Sequence, residues 1–153
     1  MDVSKDILKM AVVERHKNTR HIGIGYLKGY GLKSGAVATS VAHDSHNIIC
    51  VGTSDEDMAF AVNRIARNRG GIVVVENGQV LAELPLEIAG IISGKPLREV
   101  NTLLEDAKKA AHALGVGTDI DPFMTLSFMS LPVIPTLRLT TRGVVDVNTQ
   151  QYV

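Results

Sequence analysis

The feature that most restricts the fold is the dipeptide Asn77-Gly78, set between two apolar runs at residues 72–76 and 79–84. Asn and Gly tolerate the positive φ that both central positions of a type I′ turn require, and the twist of that turn matches the strands it joins. The segment is therefore a β-hairpin. Strands joined in this way run antiparallel, which disfavours a doubly wound parallel sheet. Arg142-Gly143, between residues 136–141 and 144–147, predicts another hairpin.

Further strands are expected at residues 7–13, 36–42 and 47–51, the last two rich in Val and Ile. Gly23, Gly25, Gly29, Gly31 and Gly35 are too dense for a helix interior and predict strands broken by bulges and a loop. The first helix is signalled by Ser54 as its cap, Asp57 in the capping-box position and the acidic trio Asp55, Glu56 and Asp57 at the positive end of the dipole. Its apolar stripe is Met58, Ala61, Val62, Ile65 and Ala66, and Gly70-Gly71 ends it. A second helix opens at Pro96, carries Leu97, Val100, Leu104, Ala107, Ala111 and Leu114 on one face, and stops at Gly115. Residues 119–135, with three prolines among Phe and Met, are expected to form short helical turns or a packed loop. About seven strands with two or three helices give an α+β fold: mostly antiparallel sheet, with hairpins, covered by those helices.

The 153 residues suffice for one domain, 1–153, with a core that needs no staples. They are too few for a (β/α)₈ barrel, which takes about 200 or more. Sixteen basic residues balance sixteen acidic ones and Trp is absent, so no field or stacking platform favours nucleic acid as a partner. Cys50, in an apolar run, reads as a small core residue, and a lone cysteine excludes the Pro-Cys-x-x-Cys zinc site of cytidine deaminases. No segment nears 18 uninterrupted apolar residues and no secretory signal is evident, so a soluble, cytoplasmic protein without a membrane partner is expected.

Chemistry concentrates at His43-Asp44-Ser45-His46-Asn47. Two imidazoles and a carboxylate so spaced suit a divalent metal or a proton-transfer group with an orienting partner. They equally suit a polar turn whose Asp and Asn cap their own backbone. One carboxylate does not complete a catalytic zinc set, and no Gly-x-Ser-x-Gly elbow surrounds Ser45. His16 and His21 bracket a basic run that reads as a solvated loop or a ligand-facing one. Glu83 and Glu87, around Pro85, are expected to be solvated loop carboxylates, and His112 to complement the dipole at the end of the second helix.

Three strings carry a resemblance: residues 10–19 (MAVVERHKNT), residues 29–47 (GYGLKSGAVATSVAHDSHN) and residues 128–135 (FMSLPVIP). They resemble the C-terminal region of bacterial adenine deaminases, members of the amidohydrolase superfamily. The resemblance implies a longer enzyme that hydrolyses adenine to hypoxanthine and ammonia in purine salvage, with a divalent metal, manganese or iron, on a barrel domain. That barrel has no counterpart here and no His-x-His pair occurs, so no metal ligand or cofactor is assigned to this chain. The resemblance makes His43, Asp44, Ser45 and His46 the candidates for reaching the purine, with Glu14 and His16 next. Adenine, the absent barrel and a second copy of the chain are the partners implied. The chain opens at Met1-Asp2 directly before a core-like strand, as expected of a piece trimmed from a longer polypeptide and inactive alone. The competing expectation is an autonomous small metal-dependent hydrolase or ligand-binding protein built on the His43–His46 patch. A pure interaction module, marked by an exposed apolar patch, is a third.

Overall fold

A computed structural model describes all 153 residues. In chain order the elements are β1 (Ile7–Val13), β2 (Ile22–Lys28), β3 (Ala36–Thr39), β4 (Ile48–Gly52), α1 (Asp55–Arg67), β5 (Gly71–Glu76), β6 (Gln79–Pro85), α2 (Leu97–Ala113), α3 (Pro122–Met129), β7 (Leu137–Thr140), β8 (Gly143–Asp146) and β9 (Gln151–Tyr152). A six-stranded sheet has the order β2-β1-β4-β3-β5-β6, and every neighbouring pair is antiparallel. Strands β7, β8 and β9 form a second, smaller sheet. The fold is thus α+β with no barrel, as the hairpin and helix signals require.

The hairpin β5–β6 turns at Asn77 and Gly78, both with positive φ. Its turn is held from outside. Ser54 caps α1 by accepting the Asp57 N–H at 3.2 Å, but the Asp57 carboxylate does not fold back as a capping box would. It accepts the N–H groups of Asn77 (3.2 Å) and Gly78 (2.8 Å), fixing α1 to the hairpin.

Alternation along the strands gives the sheet two apolar faces. One presents Leu8, Met10, Val12, Val37, Ile49, Val51, Ile72 and Val74, and buries them against α2, α3 and the small sheet. The other presents Ala11, Ala36, Ala38, Cys50, Val73 and Val75 to Met58, Ala61 and Ile65 of α1. Cys50 is fully buried there and burial pushes its thiol pKa up, so it packs as a small core residue.

Three local expectations need correction. Strand β2 is not broken by bulges: it is a regular seven-residue strand, and Gly23 and Gly25 serve close packing of the small sheet. A Cβ on Gly23 would lie 1.8 Å from the Thr140 carbonyl oxygen, and one on Gly25 would touch Leu139. Residues 122–129 form a full helix, α3, whose first position is Pro122 and whose cap is Asp121, accepting the N–H groups of Phe123 (3.0 Å) and Met124 (2.9 Å). Glu83 is not a loop carboxylate. It lies on β6 and takes both nitrogens of Arg64 (2.8 and 2.7 Å) and the Asn68 amide (2.8 Å), which hold its carboxyl below the usual range. Glu87 does sit in the exposed loop beyond, accepting the Gly94 N–H. The last strand, β9, carried no recognised sequence signal. His112 donates from Nδ1 to the Val116 carbonyl, consistent with its place at the end of α2.

Tyr30, in the segment after β2, is buried among core residues and donates its hydroxyl to the Pro122 carbonyl at 3.0 Å. This bond ties α3 to the large sheet. Tyr30→Phe leaves the carbonyl without its partner and is expected to cost about 1–3 kcal/mol in urea unfolding. A midpoint identical to the parent's would show that the bond does not anchor α3.

Candidate functional site

Strands β1 and β4 end side by side, so the loops that follow β1 and precede β4 meet at one edge of the sheet. Residues 42–46 close on themselves: the His46 N–H donates to the Ala42 carbonyl (2.6 Å), and the Ala42 N–H donates to His46 Nδ1 (3.3 Å). His46 holds a left-handed φ of +50° within this turn. The turn brings the two imidazoles together, 5.5 Å apart and near edge-on, with the His43 ring also 5.3 Å from that of Phe128. The His43 N–H donates to the Ser127 carbonyl at 3.0 Å, so α3 carries one end of the turn.

The other end is carried by Arg15. Its Nε donates to the His46 carbonyl (2.9 Å), its Nη2 to the Ala89 carbonyl (2.8 Å), and its backbone N–H to Asn47 Oδ1 (3.1 Å). Asn47 passes the constraint on by donating from Nδ2 to Ser45 Oγ (3.1 Å). Sequence reasoning missed Arg15 as a positioning residue. Its only visible mark was its place in the resembling string.

Glu14 and His16 are structural supports in this arrangement. Glu14 accepts the N–H groups of His16, Lys17 (2.6 Å) and Thr19 (3.0 Å) and the Thr19 hydroxyl (3.2 Å). These bonds, the Thr19 N–H foremost, hold its carboxyl at about 2, so it stays an anion that organises residues 14–19. His16 donates from Nε2 to the Ser45 carbonyl at 2.6 Å, bracing the turn from the β1 side.

What remains unengaged is telling. The Asp44 carboxylate is exposed and takes no hydrogen bond or ion pair within the chain, and the Ser45 hydroxyl proton is free to donate. Both line an open cleft of about 450 Å³, of a size that holds a small molecule. Val12 and the segment Leu131-Pro132-Val133 form its apolar wall, and Asn47, Ser130, Thr140 and Thr141 complete its polar side. The Ser130 hydroxyl is buried without a partner. These last walls lie far along the chain from Asp44, and only the resemblance at residues 128–135 marked that region.

His43, Asp44, His46 and His16 do not converge as a ligand set. His46 Nδ1 and His16 Nε2 are spent on the backbone, and no three His, Cys, Asp or Glu side chains gather closely enough to hold a metal ion. Nor is any helix long and apolar enough to cross a membrane.

The fold and site together define an α+β domain with an open cleft of about 450 Å³, built on a turn whose polar groups are partly committed and partly free. The family model described as adenine deaminase C-terminal domain matches residues 1–151, and the chain belongs to that family. It is 53% identical over 147 residues to an adenine deaminase of Nitratidesulfovibrio vulgaris, covering 95% of this chain and 26% of that protein. It is 54% identical over 145 residues to an adenine deaminase 2 of Carboxydothermus hydrogenoformans, covering 95% and 25%. With the adenine deaminase of Bacillus subtilis it shares 47% over 152 residues, covering 99% and 26%. The chain therefore spans about a quarter of the length of these relatives.

Burial, then the charges of His43 and Arg15, lower the pKa of His46 below its ordinary 6.5. In the window between the lowered value and 6.5 the unfolded chain binds more protons than the folded one, so stability rises with pH there. This contribution is complete above pH 6.5 and is lost as pH falls through the folded value. The His46 ring resonance is expected to titrate below 6.5 by NMR, and a midpoint at or above 6.5 would contradict the half-buried, accepting imidazole.

Proposed function

We propose that this chain is the C-terminal domain of an adenine deaminase that hydrolyses adenine to hypoxanthine and ammonia, and that its 42–46 turn forms one edge of the purine site. The observation that carries the reading is the pairing of a free carboxylate, Asp44, with a free hydroxyl, Ser45, at a cleft of small-molecule size. A purine presents both donors and acceptors along its edges. Asp44 accepts from a ring or exocyclic N–H, Ser45 donates to a ring nitrogen, and Leu131 and Pro132 cover an apolar ring face.

The donor sets here do not fit a metal ion, so no metal-dependent step is assigned to these residues. The manganese or iron implied by the family belongs, in this reading, to the preceding part of the polypeptide, the barrel on which this single domain packs. A cytoplasmic enzyme of purine salvage follows from the same reading. No specific observation favours the self-sufficient hydrolase.

The test joins this chain to the preceding residues of the Bacillus subtilis relative. Alone, the chain is expected to release no ammonia from adenine even with added Mn²⁺ or Fe²⁺; joined, it should support turnover. In the joined protein, Asp44→Asn is expected to lower kcat/KM by about 10²-fold with an unchanged melting temperature. An unchanged kcat/KM would remove Asp44 from the purine site, and turnover by the isolated chain would restore the self-sufficient reading.

A further inference from the structure

The two faces of the large sheet are covered unequally. The small sheet, α3 and α2 extend across one face, over β1 and β2, then β3 and β4, then β5 and β6. The other face has only α1, which lies over β3, β4 and β5. Strand β2 is left bare on that side, and β1 is covered only in part, with Ala11 buried against α1 and Val13 half-buried. Register shows which residues this exposes: Val13 pairs with Ile22, Ala11 with Ile24 and Lys9 with Tyr26, all on the α1 face. Ile22, Ile24 and Tyr26 are 56%, 57% and 62% exposed. Three large apolar side chains in a row on one strand face mark a lost partner, since isolated exposed residues are ordinary but aligned ones are not.

The flanks of α1 point the same way. Toward β6 the helix closes with the polar set Arg64, Glu83 and Asn68. Toward β2 it offers Met58, Ala59 and Val62, which with Ala11, Val13, Ile22 and Ile24 line a mainly apolar groove of about 490 Å³. The Lys9–Asp55 ion pair, at 2.6 Å, also borders the groove. Two strands at about 4.8 Å spacing present a shelf roughly 10 Å wide, the diameter of a single helix. About three-quarters of the length of the relatives lies outside this chain, ample to supply one.

We propose that the exposed face of β2, with the β1 floor between it and α1, seats one amphipathic helix from the polypeptide that precedes this domain, laid alongside α1 with its apolar side on Ile22, Ile24 and Tyr26. This rests on the reading of the chain as the last part of a longer deaminase and names the surface by which the two parts join. The groove occupant is thus a helix with apolar residues at i, i+3, i+4 and i+7, not a strand added to the edge of β2.

The test is thiol accessibility. Cys50 is buried and inert, so Ile24→Cys gives the chain a single reactive thiol, and Tyr26→Cys repeats the measurement on the same face. Maleimide labelling of either variant is expected to be fast in the isolated chain at every concentration. In the joined polypeptide, with the labelled peptide identified by mass, it should be at least about tenfold slower, as for a side chain moved into an interface core. Equal rates in a joined protein that deaminates adenine would overturn the proposal and leave the functional reading standing. Protection that grows with concentration in the isolated chain would overturn it in favour of a second copy. Protection in a joined protein without deaminase activity would support the helix seat while counting against the assigned reaction.

Discussion

The small sheet reaches the large one because Gly23 and Gly25 carry no side chains where the two cross. At Gly23 even a methyl group would occupy the place of the Thr140 carbonyl, so any other residue would force the β7–β8 hairpin away. Thr140 and Thr141 would then retreat from Asp44, Ser45 and Asn47, and the cleft between them would open into surface. The remaining wall depends on α3, which Tyr30 ties to the large sheet and which in turn receives the His43 N–H. Close approach at two glycines and one buried hydroxyl therefore set the shape of the site.

Within that shape the polar groups divide their duties. Arg15, Asn47, Glu14 and His16 spend their hydrogen-bonding capacity on backbone and on one another. His46 does the same through Nδ1, and partial burial lowers its pKa, favouring the neutral ring that can accept there. A turn fixed at both ends can present Asp44 and Ser45 without reorganising when a ligand arrives, which is the condition for selective hydrogen bonding. The same economy appears on the far face of the sheet, where α1 is closed by Arg64, Glu83 and Asn68 on one flank and presents a mainly apolar groove on the other.

The sequence was most legible where one local rule decided the outcome. Asn77-Gly78 dictated its hairpin, Ser54 its helix cap, and the 3.6-residue stripes located α1 and α2. It was least legible where tertiary contacts chose between alternatives. Asp57 sat in a capping-box position but serves the hairpin turn, accepting the N–H groups of Asn77 and Gly78 that only the tertiary fold brings to it. Helix α3 is mostly apolar, its few polar residues (Thr125, Ser127) giving no amphipathic period, and Glu83 finds Arg64 only once α1 lies over the sheet. At the site, the 42–46 patch was visible from its composition, whereas the cleft walls at Ser130–Val133 and Thr140–Thr141 are joined to it only by folding. Arg15 gave no signal because its partners are carbonyls, which every residue carries.

The proposed role of the 42–46 turn is to border the purine site of the assembled enzyme. A crystal structure of this chain joined to the preceding polypeptide of a relative, with a slowly reacting purine bound, addresses it most directly. The account predicts a purine nitrogen at hydrogen-bond distance, about 2.7–3.2 Å, from the Asp44 carboxylate or the Ser45 hydroxyl. A purine fully enclosed by the preceding polypeptide, with the turn facing bulk solvent, would contradict it.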